Sequence, residues 1–384
     1  MIIICEPQCA GYEHVEVNSA LLAVIKCSFP DQKVLFLAEE QHLEQVRQNA
    51  ITYDLKNIEF KAIDIPPRYS SSLSRQPAEY QLCKMIFELA VQYQTGKVLF
   101  CSITSPGLIA VKILLRTYRQ IRAIVIPHSI LEKVVRRPSL RMGEIFFWFK
   151  LPLLFANTDQ IHYLVLGPSI QEQLCQLFPN LKPYVGAIHH PYNFKNPEIC
   201  ADPLQDTITF GSFGVGHRGK GTDIMFKMAG EICKQKTEYQ SKFILVGPII
   251  DKRIKHQPDA VFVPSANNLM SRSEFDYYAS TIHYSLFFYK PNSYRLTASG
   301  ALFDAFSYVT PIIALKNPFF EYYFRTMGDI GYLCDSYDQA KTIIINILNN
   351  KMSDQYRLQQ QNILKAREKI NIHKIAQSVA TMWD

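Results

Sequence analysis

Short apolar runs recur along the chain and are separated by stretches long enough to form helices. The runs are rich in Val, Ile, Leu and Phe and do not alternate with polar residues, as is typical of strands in a parallel sheet covered on both faces. They lie at residues 2–6, 33–39, 58–65, 97–103, 123–128 and 161–167, and then at 207–214, 243–248, 261–265, 284–289, 310–315 and 330–336. The repeated order of strand and helix predicts an α/β fold.

The length of the chain indicates two domains. Its 384 residues exceed the size at which a single hydrophobic core usually stops growing. We predict two doubly wound, Rossmann-like domains that face each other across a cleft. The N-terminal domain is expected over residues 1–190, a linker over 191–206 and the C-terminal domain over 207–365. A last helix within 366–384 is expected to pack back on the N-terminal domain.

Composition narrows the classes of function. The nine cysteines form no C-x-x-C pair, so reduced thiols in a cytosol are favoured over disulfides or a zinc site. No His/Cys cluster is evident, and we expect no metal. The N-terminus lacks the basic region of a signal peptide and no run of eighteen apolar residues occurs, so a cytoplasmic protein is predicted. The net charge of +7 suits an anionic ligand or membrane surface, and nothing else favours nucleic acid.

A cluster of glycines follows the first predicted strand of the second domain, in ITFGSFGVGHRGKGTD (208–223). Gly214, Gly216 and Gly219 match G-x-G-x-x-G, the dinucleotide pattern. Gly214 through Lys220 match G-x-x-x-x-G-K, the start of a phosphate loop. In both patterns, backbone N–H groups and a helix N-terminus face phosphate oxygens.

Neither pattern is complete. A phosphate loop has Ser or Thr after the lysine, where this chain has Gly221, and no acidic residue closes the next strand as a dinucleotide site requires. We favour a phosphate site over a flexible surface loop, with Arg218 and Lys220 neutralising the anion.

The layout and three stretches of the chain resemble the GT-B glycosyltransferases, specifically the group 1 family of retaining enzymes that use nucleotide-sugar donors. In that family, the first strand of the second domain ends in a glycine turn followed by Lys-Gly. Here Ser212 replaces the family's arginine, and Arg218 is the candidate to supply its charge. The resemblance implies that Lys220 meets the donor diphosphate. The other donor-binding residues implied here are Gly211, Ser212, Gly214 and Gly216.

The second stretch, NSYRLTASGALFDAFSYVTPIIAL (292–315), is similar to the family's donor-binding helix. Asp304 stands at the second of two acids and is implied to hold the donor ribose, whereas Leu296 occupies the position of the first. The helix start would present N–H groups to a phosphate, preceded by one aromatic and one cationic side chain. These further donor contacts are Tyr294, Arg295, Ser299 and Gly300.

The third stretch is AIVIPHSILE, which ends a predicted strand in His128. The resemblance implies that His128 contacts the donor sugar near the reacting carbon; the alternative is a satisfied histidine at a strand end. The first loop and helix would face donor and acceptor, with Gly11 allowing close approach to the donor. The acceptor-side candidates are His14, Glu16, Asn18, Thr104 and Ser105.

The resemblance implies a retaining hexosyltransferase that moves a sugar from a nucleotide-diphosphate donor to a glycan or lipid-linked glycan, as in polysaccharide biosynthesis. Cations and N–H dipoles would stabilise the leaving diphosphate without a metal or other cofactor. Two alternatives remain open. One is a non-catalytic GT-B-like binding protein with a degenerate donor site, and the other is a sugar-nucleotide epimerase.

Residues 133–155 favour a peripheral membrane contact, at the inner face of the plasma membrane. They combine cations with aromatic side chains, which suits a surface that dips into anionic headgroups. A loop followed by a buried helix is an equal alternative. The residues concerned are Lys133, Arg136, Arg137, Arg141, Phe146, Phe147, Trp148, Phe149, Lys150 and Phe155.

Overall fold

The computed structural model describes residues 1–53, 55–67, 72–128, 130–136, 138, 145–194, 206–254, 259–266, 268, 270–290, 293–350 and 354–380. Contacts divide the chain into two compact units. The first contains Met1–Tyr192, Leu296–Ala298 and Ile370–Asp384, and the second contains Asn193–Arg295 and Ser299–Lys369. Each unit has one parallel sheet with helices along the chain between its strands, which confirms the predicted α/β class.

The first unit is built on a seven-stranded sheet in the order β3-β2-β1-β4-β5-β6-β7. Its strands are β1 (Ile2–Cys5), β2 (Val34–Ala38), β3 (Ile58–Ala62), β4 (Lys97–Phe100), β5 (Arg122–Val125), β6 (Ile161–Val165) and β7 (Val185–Ala187). All neighbours pair in parallel. The strand order reverses between β1 and β4, where an open α/β sheet leaves a crevice at the carboxyl ends of its strands.

The second unit is built on a five-stranded parallel sheet in the order β12-β11-β10-β8-β9. Its strands are β8 (Thr207–Phe213), β9 (Gln240–Val246), β10 (Tyr284–Phe287), β11 (Ile312–Leu315) and β12 (Gly331–Cys334). Aromatic side chains fill its core: the ring of Phe210 stacks on those of Phe243 and Tyr284, with centroids 5.3 and 5.9 Å apart. This sheet also reverses its order, between β8 and β10.

The α-helices, numbered along the chain, alternate with the strands. They are α1 (Val15–Ser28), α2 (Glu40–Thr52), α3 (Ser72–Gln92), α4 (Ser105–Leu115), α5 (Glu132–Val135), α6 (Lys150–Leu154), α7 (Pro168–Leu177), α8 (Thr222–Ile232), α9 (Arg272–Ser280), α10 (Gly300–Ser307), α11 (Pro318–Met327), α12 (Tyr337–Asn349), α13 (Asp354–Lys369) and α14 (Ile372–Ala380). Helix α14 packs against α1 in the first unit, where the Ser28 hydroxyl donates to the Ala376 carbonyl at 2.9 Å. None of the helices in the described residues is both long and apolar enough to cross a membrane.

One strand prediction is wrong, one strand was missed and one is less covered than expected. The run at 261–265 makes a single bridge, from Phe262 to Ile244, because Pro264 has no N–H to continue a ladder. Strand β7 was not predicted, since it has three residues and follows a proline-containing 3₁₀ turn. Strand β3 is mostly exposed rather than covered on both faces. Most of the expected linker, residues 195–205, lies outside the described residues.

Candidate functional site

The loop after β8, residues 214–221, is fixed by two glycines with positive φ. Gly214 turns the chain at the end of β8 with φ +76°, and Gly221 precedes α8 with φ +71°. A Cβ on Gly221 would lie 1.9 Å from the carbonyl oxygen of Phe288, so only glycine fits there. The Lys290 N–H also donates to the Gly219 carbonyl at 3.2 Å. The loops after β8 and β10 are thereby held together within the second unit.

The glycine amides of this loop already have partners inside the protein. The N–H groups of Gly214 and Gly216 donate to the carbonyls of Val246 and Pro248 at 2.9 and 2.8 Å. The Gly219 N–H donates to Nδ1 of His217 at 3.1 Å. These three N–H groups are therefore not available in this conformation for the phosphate cage that the glycine pattern predicts. The glycines allow close packing instead.

Gly211 and Ser212 lie inside β8. A Cβ on Gly211 would come within 2.3 Å of the Ile282 side chain, so this glycine also serves packing. Ser212 is half-buried and its backbone is paired with Leu245 of β9. No cation replaces the arginine of the family pattern within β8 itself.

The ammonium of Lys220 lies at the end of β8. Its Nζ donates to the Phe213 carbonyl at 3.2 Å, and a Cβ on Gly214 would lie 3.1 Å from the same Nζ. Burial lowers the pKa of Lys220 to about 8, and the carboxylate of Asp304 opposes this shift. Lys220 is therefore a half-buried, partly desolvated ammonium with Asp304 as an acidic neighbour.

Arg218 points to a different partner. Its Nε lies 3.3 Å from Oδ2 of Asp251, whereas Oδ1 of the same carboxylate accepts from Nε of Arg253 at 2.7 Å. The hydrogen bond from Arg253 is the main reason that the pKa of Asp251 lies far below its usual range. Arg218 thus shares the single carboxylate of Asp251 with Arg253, whereas the acidic influence on Lys220 is the longer-range one of Asp304.

Aromatic side chains surround the segment between β10 and α10. The Tyr289 hydroxyl and the Ser299 hydroxyl are 2.6 Å apart, and both side chains are buried. The ring centroids of Tyr289 and Tyr294 are 4.3 Å apart, and Tyr294 has a positive φ of 60°. Arg295 is half-buried beside them. The segment presents a partly buried aromatic pair and a cation close in sequence to the start of α10.

One face of α10 is open at its N-terminus. No heavy atom lies within 4 Å of a Cβ built on Gly300. Asp304 follows four residues later and so lies on the same face of the helix. The first N–H groups of a helix have no partners within the helix, and Ser299 makes no side-chain cap. This face therefore offers helix N–H groups and a half-buried carboxylate that acts on Lys220.

Leu296 is buried and lies, with Thr297 and Ala298, in the first unit. Its backbone N–H donates to a carboxylate oxygen of Glu132 at 2.7 Å. An aliphatic side chain at this position cannot contribute the acidic group of the family pattern.

In the first unit, the loop between β1 and α1 contains a buried polar network. The Asn18 amide donates to Glu6 at 3.1 Å and lies 2.9 Å from Nε2 of His42. Nδ1 of His42 lies 3.0 Å from the Gly11 carbonyl, and the Gly11 N–H donates to Glu39 at 3.2 Å. Asn18 is thus a buried residue that orders this loop, and its side chain is not exposed to a sugar acceptor.

Two predicted histidines meet beside this network. The ring centroids of His14 and His128 are 4.3 Å apart in an edge-to-face arrangement, and His190 lies 6.2 Å from His128. Burial, followed by the nearby imidazole of His14, lowers the pKa of His128 well below its usual value, so this ring is neutral at pH 7. Nδ1 of His14 lies 3.2 Å from Sγ of Cys9.

The remaining acceptor-side candidates have structural partners or point elsewhere. Thr104 caps α4 by accepting from the Gly107 N–H at 3.0 Å, and its hydroxyl donates to Glu79. Ser105 is buried in the first turn of α4. Glu16 is exposed in the first turn of α1.

Sequence reasoning missed Glu6, Cys9 and His42. Glu6 follows β1 directly and is fully buried, and a polar residue at the end of a buried parallel strand was the available signal. Cys9 and His42 carry no recognisable spacing. Only the fold brings α2 against the first loop.

No protein-family model matches the chain, and no curated protein matches it in sequence. Solved structures match over the whole chain. A crystal structure of HepE from Anabaena in complex with UDP has a TM-score of 0.67 and 13 % identity, covering 100 % of this chain and 99 % of its own. A glycosyltransferase from Rickettsia africae has a TM-score of 0.64 and 9 % identity, covering 100 % and 97 %. UGT89C1 from Arabidopsis thaliana, complexed with UDP-L-rhamnose, has a TM-score of 0.55 and 11 % identity, covering 99 % and 98 %. The chain has the GT-B fold of the glycosyltransferases.

The desolvated ammonium of Lys220 generates a stability prediction. Its folded-state pKa of about 8 lies below the ordinary value of 10.5, so the folded chain binds this proton more weakly than the unfolded chain. The cost is fully present below pH 8 and disappears as the pH rises towards 10.5. We expect Lys220→Met to raise the free energy of unfolding by about 1–3 kcal/mol at pH 7, and by less at pH 10.

Denaturant unfolding at both pH values measures this effect. The control is Lys227→Met, which removes an exposed lysine on α8 and should change stability by less than about 0.5 kcal/mol. Destabilisation by Lys220→Met at pH 7 would show that the ammonium is a net favourable part of the fold.

Proposed function

We propose that the protein transfers a sugar from a nucleotide-diphosphate donor, and that the nucleotide is UDP. The observation that carries the proposal is the convergence, in the second unit, of the Lys220 ammonium, the Asp304 carboxylate and the open N-terminal face of α10 at Gly300. The matching structures of HepE, which were solved with UDP and with UDP-glucose, support the choice of nucleotide. UGT89C1 with UDP-L-rhamnose supports it as well.

Lys220 would provide the main electrostatic stabilisation of the leaving diphosphate. As the glycosidic bond breaks, negative charge grows on the leaving diphosphate, and a preorganised cation stabilises that charge best where little water competes. Lys220 is already desolvated, so it does not have to shed a full hydration shell when a phosphate arrives. The N–H groups at the start of α10, at Ser299 and Gly300, would take further phosphate oxygens. Arg218 would add a more distant charge that is shared with Asp251.

The other candidates receive the roles that the resemblance suggests. Asp304 would accept hydrogen bonds from the ribose hydroxyls, and Tyr294 would stack on the base with Arg295 beside it. In the first unit, His128, with His14 and Gly11, would contact the transferred sugar. We further propose that transfer retains anomeric configuration, needs no metal and delivers the sugar to a glycan or a lipid-linked glycan.

A binding protein without turnover is the second candidate. Three observations favour it: the glycine amides are engaged within the protein, Arg218 is paired with Asp251, and Leu296 replaces an acid. UDP release from UDP-glucose, measured with and without the protein, separates the two. Steady release supports the transferase, and UDP binding without release supports the binding protein.

We also propose a peripheral membrane contact through residues 133–155. Phe146 and Phe155 are 71 % and 64 % exposed, with the exposed cations Lys133 and Arg136 in the same segment. The segment is anchored from inside, because Nζ of the buried Lys112 donates to the Phe155 carbonyl at 2.5 Å. Phe149 is buried and Trp148 donates to the Lys133 carbonyl, so only part of the aromatic cluster is available. Arg137 and Arg141 lie outside the described residues.

One prediction of the proposed function concerns the contact between Lys220 and the diphosphate. Lys220→Ala should weaken UDP binding at least tenfold in isothermal titration, because a charge-assisted hydrogen bond contributes about 1.5–3 kcal/mol. Lys227→Ala, an exposed lysine outside the loop, should bind UDP like the wild type. Equal affinity in both variants would remove Lys220 from the site. Wild-type binding should survive EDTA, and its loss would contradict metal independence.

A second prediction concerns the ribose. The wild-type protein should bind UDP more tightly than 2′,3′-dideoxy-UDP by roughly five- to twentyfold, since the dideoxy analogue leaves the Asp304 carboxylate without its donors. In Asp304→Asn the ratio of the two affinities should fall towards one. This holds even if the loss of the carboxylate changes the affinity for both nucleotides through its effect on Lys220. An unchanged ratio in the variant would assign the hydroxyl contacts to another residue.

A third prediction concerns the membrane. Phe146→Asp should reduce cosedimentation with vesicles that contain anionic lipid several-fold, because it removes exposed apolar area and adds repulsion. Ile51→Asp provides the matched control, since Ile51 is 76 % exposed on α2. If both variants lose vesicle binding equally, or if the wild type does not bind vesicles, residues 133–155 only pack on the protein and do not contact a membrane.

A further inference from the structure

The loop between β1 and α1 brings together a carboxylate, a thiol and an imidazole. One ligand atom each from Glu6, Cys9 and His14 lies within 4.8 Å of the other two. Sγ of Cys9 and Nδ1 of His14 are 3.2 Å apart. Glu6 and Cys9 are buried, and His14 is half-buried. Among the described residues, this is the one group of three or more such side chains with metal-ligand spacing.

We propose that Glu6, Cys9 and His14 form a binding site for a thiophilic divalent cation of the Zn²⁺ type. Zinc bonds of about 2.0–2.3 Å in tetrahedral geometry hold ligand atoms roughly 3.3–3.8 Å apart. The sulfur and nitrogen, 3.2 Å apart, are already close to that separation. Glu6 offers an oxygen within 4.8 Å of both and would have to approach by up to about 1.5 Å. Three protein ligands leave the fourth position to water. A thiolate and an imidazole select Zn²⁺ over Mg²⁺ and Ca²⁺.

Hydrogen bonds orient the carboxylate for this role. One oxygen of Glu6 accepts from the N–H groups of Gln8 and Cys9 at 3.0 and 3.2 Å and from the hydroxyl of Ser102. The other oxygen accepts from the Asn18 amide at 3.1 Å, which leaves it a lone pair for an ion. Partners of this kind fix the direction of metal ligands in proteins.

The backbone also directs the imidazole. His14 has a φ of 60°, in the left-handed region that a residue with a side chain seldom adopts. This conformation at the start of α1 accompanies a ring whose Nδ1 faces Cys9. Binding would release the thiol proton of Cys9 to solvent and form one bond from each ligand to the ion, with no change in oxidation state. All three ligands belong to the first unit, whereas the proposed UDP contacts lie in the second. UDP binding therefore does not require this site, although His14 is also proposed to contact the transferred sugar.

Cobalt titration of the full-length protein tests the site directly. Co²⁺ reports a thiolate ligand through a near-ultraviolet charge-transfer band and tetrahedral geometry through its visible bands. We expect the wild type to take up one equivalent of Co²⁺ with both signals, and Zn²⁺ but not Mg²⁺ to displace it. Cys9→Ser should abolish the charge-transfer band, and His14→Gln should weaken Co²⁺ binding more than tenfold. Cys27→Ser is the matched control, because Cys27 is an exposed thiol on α1.

Two outcomes would overturn the proposal. A wild-type protein without the charge-transfer band would show that Cys9 and His14 form only an S–H···N hydrogen bond. A band that persists in Cys9→Ser and is lost in Cys27→Ser would assign the metal to a surface thiol. Circular dichroism checks that each variant is folded. If Cys9→Ser does not fold, His14→Gln decides, since wild-type cobalt affinity in that variant is also contrary to the proposal. UDP binding is measured separately and bears only on the proposed function.

Discussion

The candidate donor site depends on the close backbone approach at Gly221. Because a Cβ there would collide with the Phe288 carbonyl, the loop after β8 can lie against the segment after β10 only with glycine at this position. Lys220 directly precedes Gly221, so this contact fixes the position of the Lys220 backbone. The hydrogen bond from the Lys290 N–H to the Gly219 carbonyl reinforces the contact. The same contact fixes the course of the chain towards Tyr289 and Tyr294. The site is thus formed by two strand ends whose loops are joined before any ligand binds.

The sequence was sufficient to predict the fold class because the features it depends on are local. A parallel strand that is covered on both faces is apolar along its length, and the runs that became β1 and β2 show this directly. The prediction failed where a local pattern was not decisive. The run around Phe262 is apolar, but Pro264 stops its ladder. The three residues of β7 are too few to produce a pattern.

The site was less predictable because its chemistry depends on partners distant in sequence. The glycine pattern drew attention to the loop after β8 and to Lys220, but it could not show that the Gly214 and Gly216 amides donate to Val246 and Pro248. Likewise, Asn18 is a polar residue near the N-terminus in the sequence. Only the packing of α2 on α1 reveals that it bridges Glu6 and His42. A pattern identifies residue types, whereas the hydrogen-bond accounting needs the whole fold.

The environments of Lys220 and Arg218 explain why two nearby cations should differ in function. Arg218 shares the carboxylate of Asp251 with Arg253, so an arriving anion would have to compete with that carboxylate for Arg218. Lys220 has a carbonyl as its hydrogen-bond acceptor and Asp304 only as a longer-range neighbour, and burial has already lowered its pKa. An unbalanced, desolvated ammonium destabilises the empty protein, and it gains most from a ligand that supplies negative charge. The same feature that costs stability therefore favours Lys220 over Arg218 as the proposed phosphate contact.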